Sequence, residues 1–153
     1  MLAKVAPLLD ICDSLRKNEV RFALGGSGLL MCLGLEANVR DWDITTDAPL
    51  TALLPILKSV SHEIIKPNGN YATDYMAKIN HDGALFDLIG NFALRTEAGV
   101  CQFPTIVCGS WMGIPLGSPE VWFLAYRLLG RTQKADVLAS RYKKENYFLT
   151  KIL

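Results

Sequence analysis

Residues Leu24 to Asp47 read LGGSGLLMCLGLEANVRDWDITTD and contain a Gly-Gly-Ser turn, a short apolar segment, a polar loop and two aspartates separated by one tryptophan. Ser27 and Asp41 are fourteen positions apart. This separation accommodates a tight turn, about two turns of helix, a loop and the start of a second strand. The stretch therefore predicts a strand, a turn, a helix and a strand, in that order.

The glycine turn is a candidate ligand site. Gly25 and Gly26 allow a sharp turn and leave room for a ligand against the main chain. Ser27 is predicted to be the N-cap of a short buried helix over Gly28 to Leu35. Free N–H groups at a helix N-terminus, with a hydroxyl beside them, suit phosphate oxygens.

Two further segments supply carboxylates. Strand alternation places Asp41 and Asp43 on one face and Trp42 on the other, which suits a Mg²⁺–nucleotide complex. Asp87 lies within Leu85-Phe86-Asp87-Leu88-Ile89, in the second strand of a hairpin predicted around Asp82-Gly83. A carboxylate in an apolar strand is costly unless it is paired or binds a cation, although a solvated outward face would also explain it. Three converging aspartates repel one another, so at least one should have a raised pKa without metal.

Together these motifs resemble the DNA polymerase beta-type nucleotidyltransferase superfamily. Its signature is Gly-Gly/Ser after a hydrophobic residue, then Asp-hydrophobic-Asp/Glu, then a third carboxylate on another strand. The matches are Gly25, Gly26, Ser27, Asp41, Asp43 and Asp87. The resemblance extends, less specifically, through Ile114-Pro115, Ser118-Pro119-Glu120, Gly130-Arg131 and Asp136. It implies an α/β (α+β) fold with a mixed, mostly antiparallel sheet packed by helices.

The resemblance also implies metal-dependent transfer of a nucleoside monophosphate from a nucleoside triphosphate such as ATP to an acceptor hydroxyl, releasing pyrophosphate. Asp41, Asp43 and Asp87 would then be catalytic residues that hold two Mg²⁺ ions, and Gly25, Gly26 and Ser27 would bind the terminal phosphates. Relatives often place a lysine in the helix after Ser118, where this chain has Tyr126. Either Arg127 or Arg131 is the candidate replacement that would contact the phosphates, or the basic group is lost.

The remaining elements follow from periodicity and turn signals. We predict helices over Leu2 to Asn18, Leu50 to Val60, Val121 to Leu129 and Lys134 to Tyr147, with strands at Val20 to Leu24, His62 to Lys66, Asp74 to Asn80, Ala84 to Asn91 and one or two more between Val100 and Leu116. Leu50, Leu53, Leu54 and Leu57 are the predicted buried face of the second helix, and Trp111 and Met112 are predicted packing residues. Ser118 is a predicted N-cap.

Composition narrows the class of protein. The chain has 153 residues, 50% of them apolar, which predicts one globular domain over residues 1–153. A net charge of +1 disfavours tight nucleic-acid binding. The longest apolar run is fourteen residues, Phe22 to Leu35, too short for a membrane span. With no CxxC pair among the four cysteines and no signal-peptide pattern, we expect reduced thiols and a cytoplasmic protein.

The acceptor is not readable from the sequence, although a small molecule or a protein is favoured over a nucleic acid. An alternative is a catalytically weak module of the same fold that binds a nucleotide or a partner, such as an antitoxin or a regulatory subunit. A partner protein or a homo-oligomer is compatible with either function. Among the other polar residues, His62 and His81 are disfavoured as catalysts, and Asp47 is either a cap for the helix after Pro49 or a support for the metal ligands.

Overall fold

The computed structural model describes residues 5–35 and 38–141. The helices in this part of the chain include α1 (Val5–Lys17), α2 (Gly26–Cys32), α3 (Leu50–Leu57) and α4 (Pro119–Leu128). Residues 132–141 are also helical. The strands are β1 (Ala23–Gly25), β2 (Asp41–Thr46), β3 (Ser61–Ile65), β4 (Tyr75–His81), β5 (Ala84–Gly90), β6 (Ala93–Thr96), β7 (Gly99–Gln102), β8 (Val107–Trp111) and β9 (Ile114–Gly117).

Seven strands form one sheet in the order β3-β4-β5-β2-β1-β9-β8, and β6 and β7 form a separate hairpin. The pairs β2–β5 and β1–β9 are parallel, and the other neighbours in the large sheet are antiparallel. The sheet is thus mixed and mostly antiparallel, with helices packed on it. The predicted fold class is confirmed.

The hairpin between β4 and β5 has the turn predicted from its sequence. Asp82 and Gly83 have φ angles of 49° and 77°. Two successive positive φ angles define a type I′ turn, whose twist matches that of the flanking strands. This turn pairs His81 with Ala84, and counting back along the two strands pairs Lys78 with Asp87.

The two faces of β2 and β5 differ as alternation requires. Trp42, Ile44, Phe86 and Leu88 are buried in the hydrophobic core, which also includes Leu8, Ile11 and Leu15 of α1. Asp41, Asp43 and Asp87 are only partly buried on the opposite face. Burial of a large aromatic side chain such as Trp42 stabilises the fold by about 3–5 kcal/mol relative to alanine. The core therefore fixes the strands that carry the carboxylates.

Several predicted elements differ in detail. α3 ends at Leu57 rather than Val60, and Leu54 is 41% exposed because Leu53, Ile56 and Leu57 form its buried face. The segment from Val100 to Leu116 contributes three strands rather than one or two, and β6 was not predicted. Met112 is 62% exposed because it lies in the turn between β8 and β9 with a φ of 51°. The prediction of Met112 as a packing residue was wrong.

Ser118 and Gly130 determine where α4 begins and ends. Ser118 Oγ accepts a hydrogen bond from Val121 N at 3.3 Å, which confirms the predicted N-cap, and Pro119 occupies the first turn. After Leu128, Gly130 adopts a φ of 74°, and Arg131 N donates to Tyr126 O at 2.8 Å. This glycine termination turns the chain back toward the sheet. The predicted termini of the first and last helices, Leu2 and Tyr147, lie outside the described residues.

The cysteines behave as small apolar residues. All four are free thiols, with Cys12 buried and Cys32 partly buried. Burial raises the pKa of Cys12 to about 12 and that of Cys32 to about 11, so neither is a reactive thiolate near neutral pH. Within residues 5–35 and 38–141, no helix has the length and apolar character required to cross a membrane.

Candidate active site

The three predicted carboxylates meet on one face of the sheet. Because β2 and β5 are parallel neighbours, Asp43 lies directly opposite Asp87, and Asp41 is two residues earlier on the same face of β2. All three line a cavity of about 490 Å³. The structure thus brings together the three aspartates that the family resemblance implies as metal ligands, and the cavity is large enough for a small-molecule ligand.

Asp43 has the most perturbed environment of the three. The pKa of its carboxyl is raised to about 7, mainly by burial and also by the charges of Asp87 and Asp41, whereas Arg131 and Lys134 act in the opposite direction. One raised pKa agrees with the expectation of mutual repulsion. Carboxylate oxygens suit a hard divalent cation such as Mg²⁺, whose charge would favour the ionised forms of these three aspartates.

The glycine turn contacts this cluster closely. Gly26 has a φ of +56°, and a Cβ on it would lie 2.0 Å from Asp43 Oδ2. A Cβ on Gly25 would lie 2.1 Å from the indole ring of Trp122. Both positions therefore require glycine, one beside the carboxylates and the other against the wall of the cavity.

Ser27 is not the N-cap that the sequence predicted. α2 begins at Gly26 with Gly25 as its N-cap, and no side chain caps it. The helix starts earlier than expected because glycine at position 26 adopts the positive φ that the tight turn needs. Ser27 is therefore inside the first turn, where it lines the cavity and accepts a hydrogen bond from Lys134 Nζ at 2.7 Å.

The wall next to Ser27 is cationic. Arg131 and Lys134 both line the cavity, and the Lys134 ammonium lies 5.7 Å from the centre of the Tyr126 ring. Lys134 thus stands beside the position where the resemblance places a helix lysine. Arg127, the other predicted phosphate contact, is exposed and is not among the residues that line this cavity. Asp136 is also exposed and lies away from the cavity.

The sequence reasoning missed Lys134 and Lys78, and it did not single out Asn38 and Arg40, which also line the cavity. Lys134 follows Arg131 by three positions, and residues at that spacing share a helix face. Lys78 Nζ donates to Asp87 Oδ1 at 3.1 Å. The sequence could have predicted the position of Lys78, because a two-residue turn at Asp82-Gly83 makes Lys78 the cross-strand partner of Asp87.

The rest of the cavity is formed by one polar edge and one largely apolar wall. Trp122 stacks on Phe92 with ring centroids 5.3 Å apart, and Phe92 packs against Phe103 at 5.1 Å. The remaining lining residues are Asn38, Arg40, Tyr71, Met76, Ile89 and Leu129. The cavity therefore combines charged groups with a largely apolar wall in which the buried rings of Trp122 and Phe92 pack against each other.

Other residues considered from the sequence lie elsewhere. Trp42 is 2% exposed in the core, as predicted for a packing residue. Asp47 accepts Thr105 N on both carboxylate oxygens, at 3.1 and 3.0 Å, and the N-cap of α3 is Pro49. The expectation that Asp47 caps α3 was wrong. His62 and His81 do not line the cavity, and His81 Nε2 lies 3.2 Å from Asp10 Oδ2.

Comparisons with known proteins find the fold in solved structures. No family model and no curated protein sequence matches the chain. TM1012 of Thermotoga maritima, a protein assigned as a nucleotidyltransferase, superposes with a TM-score of 0.68 at 23% identity, covering 93% of this chain and 94% of that one. ANT(2″)-Ia in complex with adenylyl-2″-tobramycin superposes with a TM-score of 0.63 at 13% identity, covering 96% and 94%.

A third solved structure is the lincosamide antibiotic adenylyltransferase LnuA with lincomycin bound. It has a TM-score of 0.59 at 19% identity, covering 88% of this chain and 96% of that one. Identities this low establish architecture rather than activity. Taken with the strand order and the Gly-Gly-Ser, Asp-x-Asp and Asp motifs, they show that the chain has the nucleotidyltransferase fold of the DNA polymerase beta type.

Proposed function

We propose that the chain transfers a nucleoside monophosphate from a nucleoside triphosphate to an acceptor hydroxyl and releases pyrophosphate. One observation carries the proposal: Asp41, Asp43 and Asp87 face the Ser27–Lys134 pair and Arg131 within a single cavity. Phosphoryl-group transfer needs carboxylates that hold a divalent metal ion and basic side chains that contact the phosphates. In this chemistry, positioning and charge stabilisation supply most of the catalysis.

The carboxylate cluster fits Mg²⁺ by the chemistry of its donors. Asp41, Asp43 and Asp87 offer carboxylate oxygens, the ligands that Mg²⁺ prefers, and Gly26 keeps the space beside Asp43 open. When bound, Mg²⁺ would supply Lewis-acid polarisation of the phosphoryl group and stabilise the attacking and leaving oxygens. The raised pKa of Asp43 supports the need for a compensating cation.

We assign different roles to the Ser27 side and the Asp87 side of the cavity. The sheet order places Asp87 on β5 on the far side of β2 from β1 and α2. The triphosphate would therefore lie toward Ser27, whose hydroxyl and whose partner Lys134 would donate to phosphate oxygens. Arg131 would stabilise the charge that develops on the departing pyrophosphate. The acceptor would approach from the Asp87 side, where that carboxylate is placed to take the proton of its hydroxyl.

The acceptor is proposed to be a small molecule or a protein side chain rather than a nucleic acid. The net charge of +1 provides no broad basic field for a polynucleotide. Two solved structures of the same fold are those of antibiotic-modifying proteins, and the superpositions span 94% and 96% of their chains. We propose ATP as the first nucleotide to examine.

The test is transfer of label from α-³²P-labelled nucleoside triphosphates. Wild-type protein and the Asp43→Asn variant are incubated with Mg²⁺, each labelled triphosphate in turn, and separate small-molecule, RNA and protein fractions of a cell extract. Label should appear in the small-molecule or protein fraction with wild type alone, together with pyrophosphate. Label in the RNA fraction would contradict the proposed acceptor class.

A thermal-shift measurement separates an enzyme from a binding module. Stabilisation of the wild type by Mg²⁺ and nucleotide, lost in Asp43→Asn, supports the enzyme, because a ligand stabilises the folded state that carries its site. A wild type that neither transfers label nor gains stability from any of the four triphosphates would favour a module that binds a partner protein instead.

A further inference from the structure

A row of three charged residues crosses the open face of the sheet beyond Asp43. Lys78 on β4 pairs in register with Asp87 on β5, and on its other side it pairs with Glu63 on β3. Directly opposed residues on antiparallel strands share a face, with their Cβ atoms about 5 Å apart. A single ammonium group therefore lies between two carboxylates, one of which belongs to the candidate metal site.

In the structure, Lys78 is on the Asp87 side. Its Nζ donates to Asp87 Oδ1 at 3.1 Å, with side-chain exposures of 49% for the lysine and 17% for the aspartate. Glu63 is exposed and forms no ion pair among the residues that the structure describes. The ammonium thus compensates the carboxylate that is less accessible to water, next to the two other aspartates of the cluster.

We propose that Lys78 is a tethered cation that occupies the Asp87 ligand position in the metal-free site and moves to Glu63 when a divalent cation binds. The inference rests on the proposed function, because it requires Asp87 to be a metal ligand. An ammonium group and a divalent cation compete for the same carboxylate, and the divalent ion carries twice the charge. Once that ion is bound, Lys78 is repelled by it.

The side chain is suited to such a movement. Lysine presents a point charge on a flexible four-carbon stem, so it can change partner without a change in the backbone. Glu63 lies on the neighbouring strand directly across from Lys78, which provides a second anionic partner at the same distance along the sheet. The affinity of the site for a metal then depends on the difference in free energy between Lys78 paired with Asp87 and Lys78 paired with Glu63.

The test measures Mn²⁺ affinity, with Mn²⁺ as the probe because its free form is counted by electron paramagnetic resonance. Four folded proteins are titrated: wild type, Lys78→Met, Glu63→Gln and the double variant. Lys78→Met should bind Mn²⁺ about fivefold more tightly because the competitor is gone. Glu63→Gln should bind about two- to threefold more weakly, since Lys78 then has no second partner.

The double variant decides between a moving lysine and fixed charges. If Lys78 moves, Glu63→Gln has no effect in the Lys78→Met background, because Glu63 acts only by receiving the lysine. Equal effects of Glu63→Gln in both backgrounds would overturn the proposal and indicate ordinary long-range attraction. Lys58→Met, which removes an exposed lysine at the end of α3, should leave the affinity unchanged.

The two proposals fail in different ways. A wild type that binds Mn²⁺ while Lys78→Met binds it no more tightly would overturn the lysine movement and leave the nucleotidyltransferase proposal intact. If neither the wild type nor Lys78→Met binds Mn²⁺ in the millimolar range or below, both proposals are wrong. Melting curves of each variant confirm that affinities are compared between folded proteins.

Discussion

The two walls of the cavity are built in different ways. The carboxylate wall consists of adjacent strands whose register places Asp43 opposite Asp87, and a buried layer including Trp42 and Phe86 holds these strands from the other face. The cationic wall consists of Arg131 and Lys134, which follow the glycine stop of α4 more than a hundred residues after Ser27. The carboxylate wall is set by strand pairing within the sheet, and the cationic wall is set by how the residues after Gly130 pack near Ser27.

This difference has a consequence for substitution. A change on the carboxylate wall alters charges that are held close together by the sheet, so it should affect cation binding without unfolding the protein. A change on the cationic wall removes one of several donors on a helical segment, so it should weaken triphosphate binding by a smaller factor. Four measurements test this contrast, from the largest expected effect to the smallest.

Asp43→Asn should abolish Mg²⁺-dependent nucleotide binding and reduce transfer by about a hundredfold or more, because it removes a central anionic ligand while keeping the shape of the side chain. The measurement is calorimetric titration of ATP in the presence of Mg²⁺. Asp136→Asn is the matched control, since Asp136 is exposed and away from the cavity. Equal losses in the two variants would show that net charge, rather than the site, governs binding.

Gly26→Ala should lose most nucleotide affinity, about tenfold or more, because its Cβ would fall 2.0 Å from Asp43 Oδ2 and displace that carboxylate. The positive φ of 56° adds a folding cost of about 1–2 kcal/mol. Gly34→Ala is the control, with a φ of +77° and nothing within 4 Å of its Cβ. It should share the loss of stability in a melting curve and keep the affinity. Retained affinity in Gly26→Ala would mean that the site tolerates a shifted Asp43.

Lys134→Met should weaken triphosphate binding by about 1–2 kcal/mol through the loss of one charge-assisted donor, and Ser27→Ala by a similar amount or less. Arg127→Met provides the comparison, because Arg127 lies outside the cavity. Titration with ATP, ADP and AMP locates the contact, since the loss should diminish as phosphates are removed. A larger loss of triphosphate affinity in Arg127→Met than in Lys134→Met would show that Arg127, rather than Lys134, contacts the phosphates.

The pH dependence of metal-free stability should show the smallest effect. The pKa of Asp43 is raised to about 7 in the folded protein from 3.8. A carboxyl with a raised folded pKa adds stability that is complete below about pH 4 and is lost as the pH rises through 7. Wild type in a chelator should therefore lose on the order of a few degrees of melting temperature, relative to Asp43→Asn, between pH 5 and 8. Parallel curves for the two proteins would contradict this raised pKa.

Local chemistry was enough to predict two features of the carboxylate half of the site. A period of two along β2 places Asp41 and Asp43 together, and the Asp82-Gly83 turn fixes the register of β4 and β5. The same turn already implied the Lys78–Asp87 pair, although this implication was not drawn. The N-cap prediction for Ser27 was wrong because a positive φ at Gly26 moves the helix start, and a backbone angle at glycine is not evident from residue type.

The sequence by itself determined that Asp41 and Asp43 share a face and that a tight turn at Asp82-Gly83 joins two strands, because strand period and turn type act over short distances. The mixed sheet and the meeting of Asp87 with these aspartates were implied by the family resemblance, since the β2–β5 pairing joins residues that are far apart in the sequence. Only the tertiary structure decided which cations complete the cavity. Arg127 and Arg131 are equivalent by residue type, but the glycine stop at Gly130 and the packing of helical residues 132–141 bring Arg131 and Lys134 to Ser27 and leave Arg127 on the outer face. That choice depends on how the segment after Gly130 packs near a turn that is far away in the sequence, which no local pattern encodes.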